Sequence, residues 1–161
     1  MEKLLIINPG STSTKIAVYD GENQLFVESI SHSADVIAKY DALVDQFDFR
    51  KDLVLEAMKE HNIKPEDLTA IVARGGLLPP IEAGAYEVNE DMVWQLRYAP
   101  QHEHASNLGA LIAYAISSKL GIKSYIYDGV TVDEMLPILK ITGLPEMQRK
   151  GMGHNLNMRA A

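Results

Sequence analysis

Four aliphatic residues in a row, Leu4 to Ile7, stop at Pro9-Gly10. A run this short cannot make a helix and predicts a central strand buried on both faces. A second run, Lys15 to Tyr19, follows a small polar turn, and the cluster Asp20-Gly21-Glu22-Asn23 signals a hairpin into a third strand over Gln24 to Ile30. The chain therefore opens as a three-stranded meander. From Phe49 to His61 the period changes: Leu53, Val54, Ala57 and Met58 share one helical face, and Asn62 and Pro65 end the helix. Thr69 to Ala73 is a strand entered from a helix, which favours parallel pairing with an earlier strand, and Gly75-Gly76 stop it.

Beyond the Pro79-Pro80 loop a short helix is expected around Glu90 to Leu96, with Trp94 in the core. The clearest helix holds Leu108, Leu111, Ile112, Ala115, Ile116 and Leu120 on one stripe, with Ser106 as N-cap and Gly121 past its end. Ser124 to Tyr127 is a last short strand, ending at Asp128-Gly129. The order β-β-β-α-β-α-α-β defines an α/β domain built on a mixed sheet. After Val130 the pattern weakens. Asp133 to Ile141 is helix-like between Pro137 and Pro145, and Asn155 to Ala161 reads as the first turn of a helix that never acquires an apolar face. The 161 residues are therefore expected to be part of a longer protein.

Composition narrows the function classes. Lys+Arg number 15 against 22 Asp+Glu, a formal charge of −7 that repels a phosphate polymer unless a basic patch offsets it, so nucleic acid is not an expected partner. The absence of cysteine excludes disulfides, thiolate metal sites and thiol catalysis. The longest near-apolar stretch, Leu108 to Ile116, falls short of the roughly 18 residues a membrane helix needs. The N-terminus has no signal-peptide pattern, and a cytoplasmic location is expected.

Candidate chemistry concentrates between the elements. In Asn8-Pro9-Gly10-Ser11-Thr12-Ser13-Thr14-Lys15, small residues let backbone amides approach an anion, four hydroxyls can donate and Lys15 adds a positive charge. That suits a phosphate; from composition alone a polar hairpin turn serves equally. It is not a P-loop, because the G-x-x-x-x-G-K-[ST] spacing is absent and no helix follows. Arg74 stands where α/β folds place ligands and has the planar fork for a carboxylate or phosphate; an ion pair at a sheet edge is its other reading. His102 and His104 precede the strongest helix with no third metal ligand at a convincing spacing, which leaves an anion-facing histidine, or a helix cap or surface role. Asp128 projects a carboxylate above the sheet, either for Mg²⁺ or as an Asp-Gly turn. His154 has neither a structural reason nor a specific motif, and His32 and His61 read as surface or helix-end residues.

Together these pieces resemble the acetate kinase side of the sugar kinase, Hsp70 and actin superfamily, and within it the butyrate kinases. The residues that carry the resemblance are Ile6 to Tyr19, Asp45-Gln46 with Phe49-Arg50, Ala73-Arg74-Gly75-Gly76, Ala99-Pro100-Gln101-His102 and Tyr127-Asp128. The resemblance implies a ribonuclease-H-like mixed sheet flanked by helices, the meander extended by parallel strands. It implies a lobe over residues 1–150, with 151–161 opening the connection to a C-terminal lobe. It also implies ATP/ADP, Mg²⁺ and reversible phosphoryl transfer to a short-chain carboxylate. In these terms Asn8, Gly10, Ser11, Thr12, Ser13 and Lys15 resemble the phosphate contact. Asn8 and Asp128 resemble the Mg²⁺-linked pair. Arg74, His102, Asp128 and His154 resemble the catalytic set, the two histidines steadying the transferring group. Butyrate is the expected acid, with propionate, acetate or a branched acid as rivals, and a homo-oligomer is compatible. A non-catalytic pairing scaffold built on the same lobe is the alternative of another class, and it expects Arg74, His102 and Asp128 to be scattered in space. Phosphoryl transfer needs positioning and charge neutralisation more than a covalent nucleophile, so donors around one Mg²⁺-linked carboxylate are suitable ingredients.

Overall fold

The computed structural model describes residues 2–98 and 102–160. Its framework is a six-stranded mixed sheet in the order β3-β2-β1-β4-β6-β5. The strands β1 (Lys3–Pro9), β2 (Ser13–Asp20) and β3 (Asn23–Ser31) form the expected antiparallel meander. On the other side of β1, β4 (Ala70–Arg74) and β6 (Lys123–Tyr127) run parallel to it, each reached through a helix. The edge strand β5 (Ala85–Glu87), antiparallel to β6, has no counterpart in the sequence pattern. Three residues without an aliphatic run give periodicity nothing to detect.

Among the described residues five α-helices accompany the sheet: α1 (Ala34–Ile37), α2 (Phe47–Glu60), α3 (Glu90–Tyr98), α4 (Asn107–Leu120) and α5 (Asn155–Ala160). Leu5, Ile7, Ile16, Val18, Ile71 and Ile126 point from the sheet into one core, which Val54 and Met58 of α2 and Leu108, Ile112 and Ile116 of α4 complete. Leu4 and Ile6 on the other face are only half-buried, so β1 is fully covered on one side rather than both. Gly121 closes α4 in the left-handed conformation at φ 68°, the expected role. Ser106 occupies the N-cap position, but its side chain makes no cap bond.

Three expectations fail here. Trp94 is 55% exposed and lies tilted against Tyr98 instead of entering the core. Asp133 to Ile141 contains only a single 3-10 turn, Pro137–Lys140, because proline at its first turn is followed by too few helix-compatible residues before Gly143 and Pro145. His32 is buried, not superficial: its Nε2 lies 2.9 Å from the Thr14 hydroxyl, and its ring meets Phe49 edge-on.

Burial first, and the Arg50 guanidinium second, hold the His32 imidazole below its usual pKa. Below the ordinary value of about 6.5 the unfolded chain takes up a proton that the folded chain refuses, so stability is fully present above that pH and falls as pH drops toward the folded value. The expected result is a pH-dependent loss in chemical denaturation, at most about 1.4 kcal/mol per pH unit, that is absent from the stability curve of a His32→Asn variant. An unchanged slope in the variant would remove His32 as the cause.

Candidate active site

Parallel pairing brings the carboxyl ends of β1, β4 and β6 to one edge of the sheet. A cavity of about 640 Å³ opens there. The β1–β2 hairpin contributes Asn8, Gly10, Ser11, Ser13 and Lys15; β4 contributes its last residue, Arg74. The segment Glu103 to Ser106, leading into α4, and His154 complete the polar wall. Within this lining Glu103 is the single acid, opposed by Lys15, Arg74 and the positive end of the 14-residue α4. A chain of net charge −7 thus lines this cavity with more cationic than acidic side chains, donors of the kind a phosphoryl group can use. The α4 terminus reaches this edge because Gly109 has no Cβ: a methyl there would stand 2.9 Å from the Arg74 carbonyl and 3.2 Å from Ala73 Cβ.

Arg74, Asp128 and His154 form one connected group. Arg74 Nη2 lies 3.4 Å from Asp128 Oδ2, and Arg74 Nε lies 3.0 Å from His154 Nδ1. His154 Nδ1 is also 2.7 Å from the Asp128 carbonyl. A carbonyl accepts only, so that contact needs the proton on Nδ1, whereas accepting from Arg74 needs Nδ1 bare; the two bonds are alternatives. Asp128 follows β6 rather than ending it, at φ 56°, a left-handed conformation that aspartate tolerates better than most residues. Its carboxylate is buried, and Oδ1 accepts the Leu156 amide at 2.9 Å, which fastens α5 to the sheet edge. Asp128 therefore stands behind Arg74 and His154 and is not itself part of the cavity wall.

Of the two histidines before α4, the one in the wall is His104, not His102. Both histidines are exposed, but the part of His102 in the local structure is a backbone one: its carbonyl accepts Asn107 Nδ2 at 3.2 Å. Ala99, Pro100 and Gln101 of the same motif lie outside the described residues. At His104 the backbone amide of Ser106 donates to Nδ1 at 3.2 Å, and the Ser106 hydroxyl lies 2.6 Å from the same nitrogen. An amide can only donate, which keeps Nδ1 bare and puts the proton of the neutral ring on Nε2. Burial, then His154 and Arg74, lower the His104 pKa and favour this neutral form. The product is a fixed N–H donor beside the cavity.

The hairpin is held from behind by a residue that sequence reasoning left without a role. Arg50 is fully buried, and its Nη1 donates to the carbonyls of Gly10 at 2.6 Å and Ser13 at 3.2 Å, while Nη2 donates to that of Ser11 at 3.1 Å. Nε and Nη2 also share Gln46 Oε1 at 3.0 and 2.8 Å. The detectable signal was its spacing: position 50 falls on the same helical stripe as Val54, Ala57 and Met58, so a cation occupies a core position. Thr14 faces Arg50 and His32 in the interior, and Thr12 is exposed outside the cavity lining, so two of the four hydroxyls, Ser11 and Ser13, face the cavity.

Among the described residues no three His, Cys, Asp or Glu side chains form a metal cluster. One carboxylate, one amide and water are nevertheless the donor chemistry of a Mg²⁺ ion carried mainly by phosphate oxygens. Asp128 and Asn8 fit that chemistry. Both Asp128 oxygens already have partners, so they suit contact through the ion's hydration shell.

The fold is that of the short-chain carboxylate kinases. Over 99% of this chain and 48% of its own, the acetate kinase of Porphyromonas gingivalis superposes with a TM-score of 0.61 at 15% identity. A propionate kinase from Francisella tularensis gives 0.54 over 94% of this chain and 45% of its own, at 16% identity. In sequence the chain is similar to butyrate kinases along its whole length. It is 48% identical over 160 residues to butyrate kinase 1 of Clostridium acetobutylicum, covering 99% of this chain and 45% of the relative. It is 49% identical over 158 residues to a probable butyrate kinase of Clostridium botulinum, covering 98% and 44%. The chain thus spans somewhat under half the length of these relatives. No protein-family model matches it.

Proposed function

We propose that the chain is the N-terminal lobe of a butyrate kinase, which moves the γ-phosphoryl group of ATP to butyrate and back. A carboxylate oxygen of butyrate forms the new bond to phosphorus, the bond from phosphorus to the β,γ-bridging oxygen breaks, and ADP leaves with the electron pair. The observation that carries this reading is the convergence of the Asn8–Lys15 hairpin, Arg74, His104 and His154 on one cavity, with Asp128 in contact with two of them. Arg74, the His104 Nε2–H and His154 are donors for the equatorial oxygens of the migrating group, and Ser11, Ser13 and Lys15 hold the nucleotide phosphates. Asn8 and Asp128 would hold Mg²⁺ through water, and the ion would supply charge neutralisation for the phosphates. Residues 1–150 make the lobe and 151–161 lead towards its C-terminal partner, in keeping with the relatives' greater length. A cytoplasmic enzyme acting on a small carboxylate follows from this reading, and among the described residues no helix is long and apolar enough to cross a membrane. The scaffold alternative needs Arg74, His102 and Asp128 dispersed; Arg74 and Asp128 are in direct contact, and His102 stands outside the cavity lining.

The test is acyl phosphate formation trapped with hydroxylamine, using the protein at its full natural length with ATP and butyrate, propionate, acetate or isobutyrate. Acyl hydroxamate with butyrate preferred is the expected result; none from any acid would end the proposal. The 161-residue chain by itself is expected to show little or no turnover, because the resemblance assigns the adenosine pocket and further charged groups to the other lobe. Turnover equal to the full-length protein would overturn that expectation.

A further inference from the structure

We propose that Arg50 is the positioning residue of the phosphate hairpin: a buried, uncompensated cation that turns the loop's carbonyls inward and lends its charge to the anion on the other side. The inference rests on the reading of the hairpin as a phosphate contact. The carbonyls of Gly10, Ser11 and Ser13 all point at the guanidinium, so their negative ends are withdrawn from the space a phosphate enters. A buried arginine ordinarily finds a carboxylate. Here none of the ion pairs among the described residues includes Arg50, and its remaining acceptors, Gln46 Oε1 and Thr14 Oγ1, are neutral. A glutamate in place of Gln46 could accept the same two bonds and cancel the charge. The glutamine keeps the hydrogen bonds and leaves the charge intact. Arg50 lies outside the cavity lining, so it acts through the loop and not on the substrate directly.

The Gln46→Glu substitution separates charge from geometry. In the full-length protein it should raise KM for ATP on the order of tenfold, the scale of one unit charge acting through a protein interior. KM for butyrate should stay within about twofold and the unfolding midpoint should not fall, because the bonds to Arg50 are retained. An unchanged KM for ATP, or an equal rise in both KM values, overturns the proposal. Should Gln46→Glu fail to fold, Arg50→Lys against Arg50→Met decides. The lysine, which keeps the charge without the fork, should recover most of the ATP affinity that the methionine loses, and equal losses would overturn the proposal. If the wild-type protein makes no acyl phosphate at all, the functional reading has failed on its own. Pyrophosphate binding by wild type and Gln46→Glu, measured calorimetrically, then still tests the loop: weaker binding in the variant supports the role of Arg50, and equal binding or none in either overturns it.

Discussion

Replacing His104 by alanine in the full-length protein is expected to lower acyl phosphate turnover roughly 10²- to 10³-fold, the usual cost of losing one pre-aimed donor to a transition-state oxyanion. The same change at His102 should cost at least tenfold less. Both residues lie in one three-residue stretch, but of the two only His104 borders the cavity. The Ser106 amide bonded to Nδ1 fixes its tautomer, so no reorganisation is needed as charge builds on the phosphoryl oxygens. Glutamine at 104, which keeps an N–H donor, should recover part of the rate. Because burial, His154 and Arg74 lower its pKa, the neutral donor persists below the ordinary histidine value of about 6.5. The kcat profile should therefore lack an inflection at that pH from this residue. Steady-state kinetics of the two alanine variants decide the matter: a larger loss at His102 would return the catalytic role to the residue favoured by motif resemblance alone.

The placement of these two histidines shows what kind of information the linear chain carries. Strands β1 to β3 are legible because aliphatic runs are separated by Pro9-Gly10 and Asp20-Gly21, which fix turns chemically. Parallel pairing of β4 and β6 with β1 follows from the intervening helices, and with it the shared edge where Arg74 and Asp128 meet. A His-x-His segment before a helix is different. One residue of phase decides which ring faces the cavity, and that phase is set by the Ser106 amide and by Asn107 holding the His102 carbonyl, contacts made across the turn. Trp94 fails for a related reason. Hydrophobicity marks an amphipathic helix without saying which apolar residue the neighbouring elements leave uncovered, and α3 buries Leu96 in the core while Trp94 stays outside with Tyr98. His32 and Arg50 were hidden because polar residues are read as surface, yet each finds its partners in the hairpin behind the cavity.

The turn after β4 makes a demand on stability that can be measured. Gly76→Ala should destabilise the fold by about 2–4 kcal/mol, combining overpacking with damage to a buried polar hub. A Cβ at position 76 would stand 2.5 Å from Asn107 Oδ1, 2.8 Å from Asn107 Cα and 2.9 Å from a methyl of Leu96, of which the Cα, in the first turn of α4, cannot swing aside. Asn107 Oδ1 accepts the Leu77 amide at 2.9 Å, and its Nδ2 lies 3.4 Å from the Leu96 carbonyl and 3.2 Å from that of His102. One side chain thus ties the β4 turn, α3 and the approach to His104 together. Displacing it leaves buried amides and carbonyls unpaired, at about 1–3 kcal/mol each. In a domain of this size the loss corresponds to a melting temperature lower by roughly 4–16 °C, which calorimetry or circular dichroism can read on the 161-residue chain itself. Gly143→Ala is the matched control, since nothing lies within 4 Å of its would-be Cβ, and it should be neutral or stabilise slightly. Equal melting temperatures for the two variants would show that the Asn107 hub yields without cost. The close approach of the turn to α4 would then no longer explain why glycine stands at position 76.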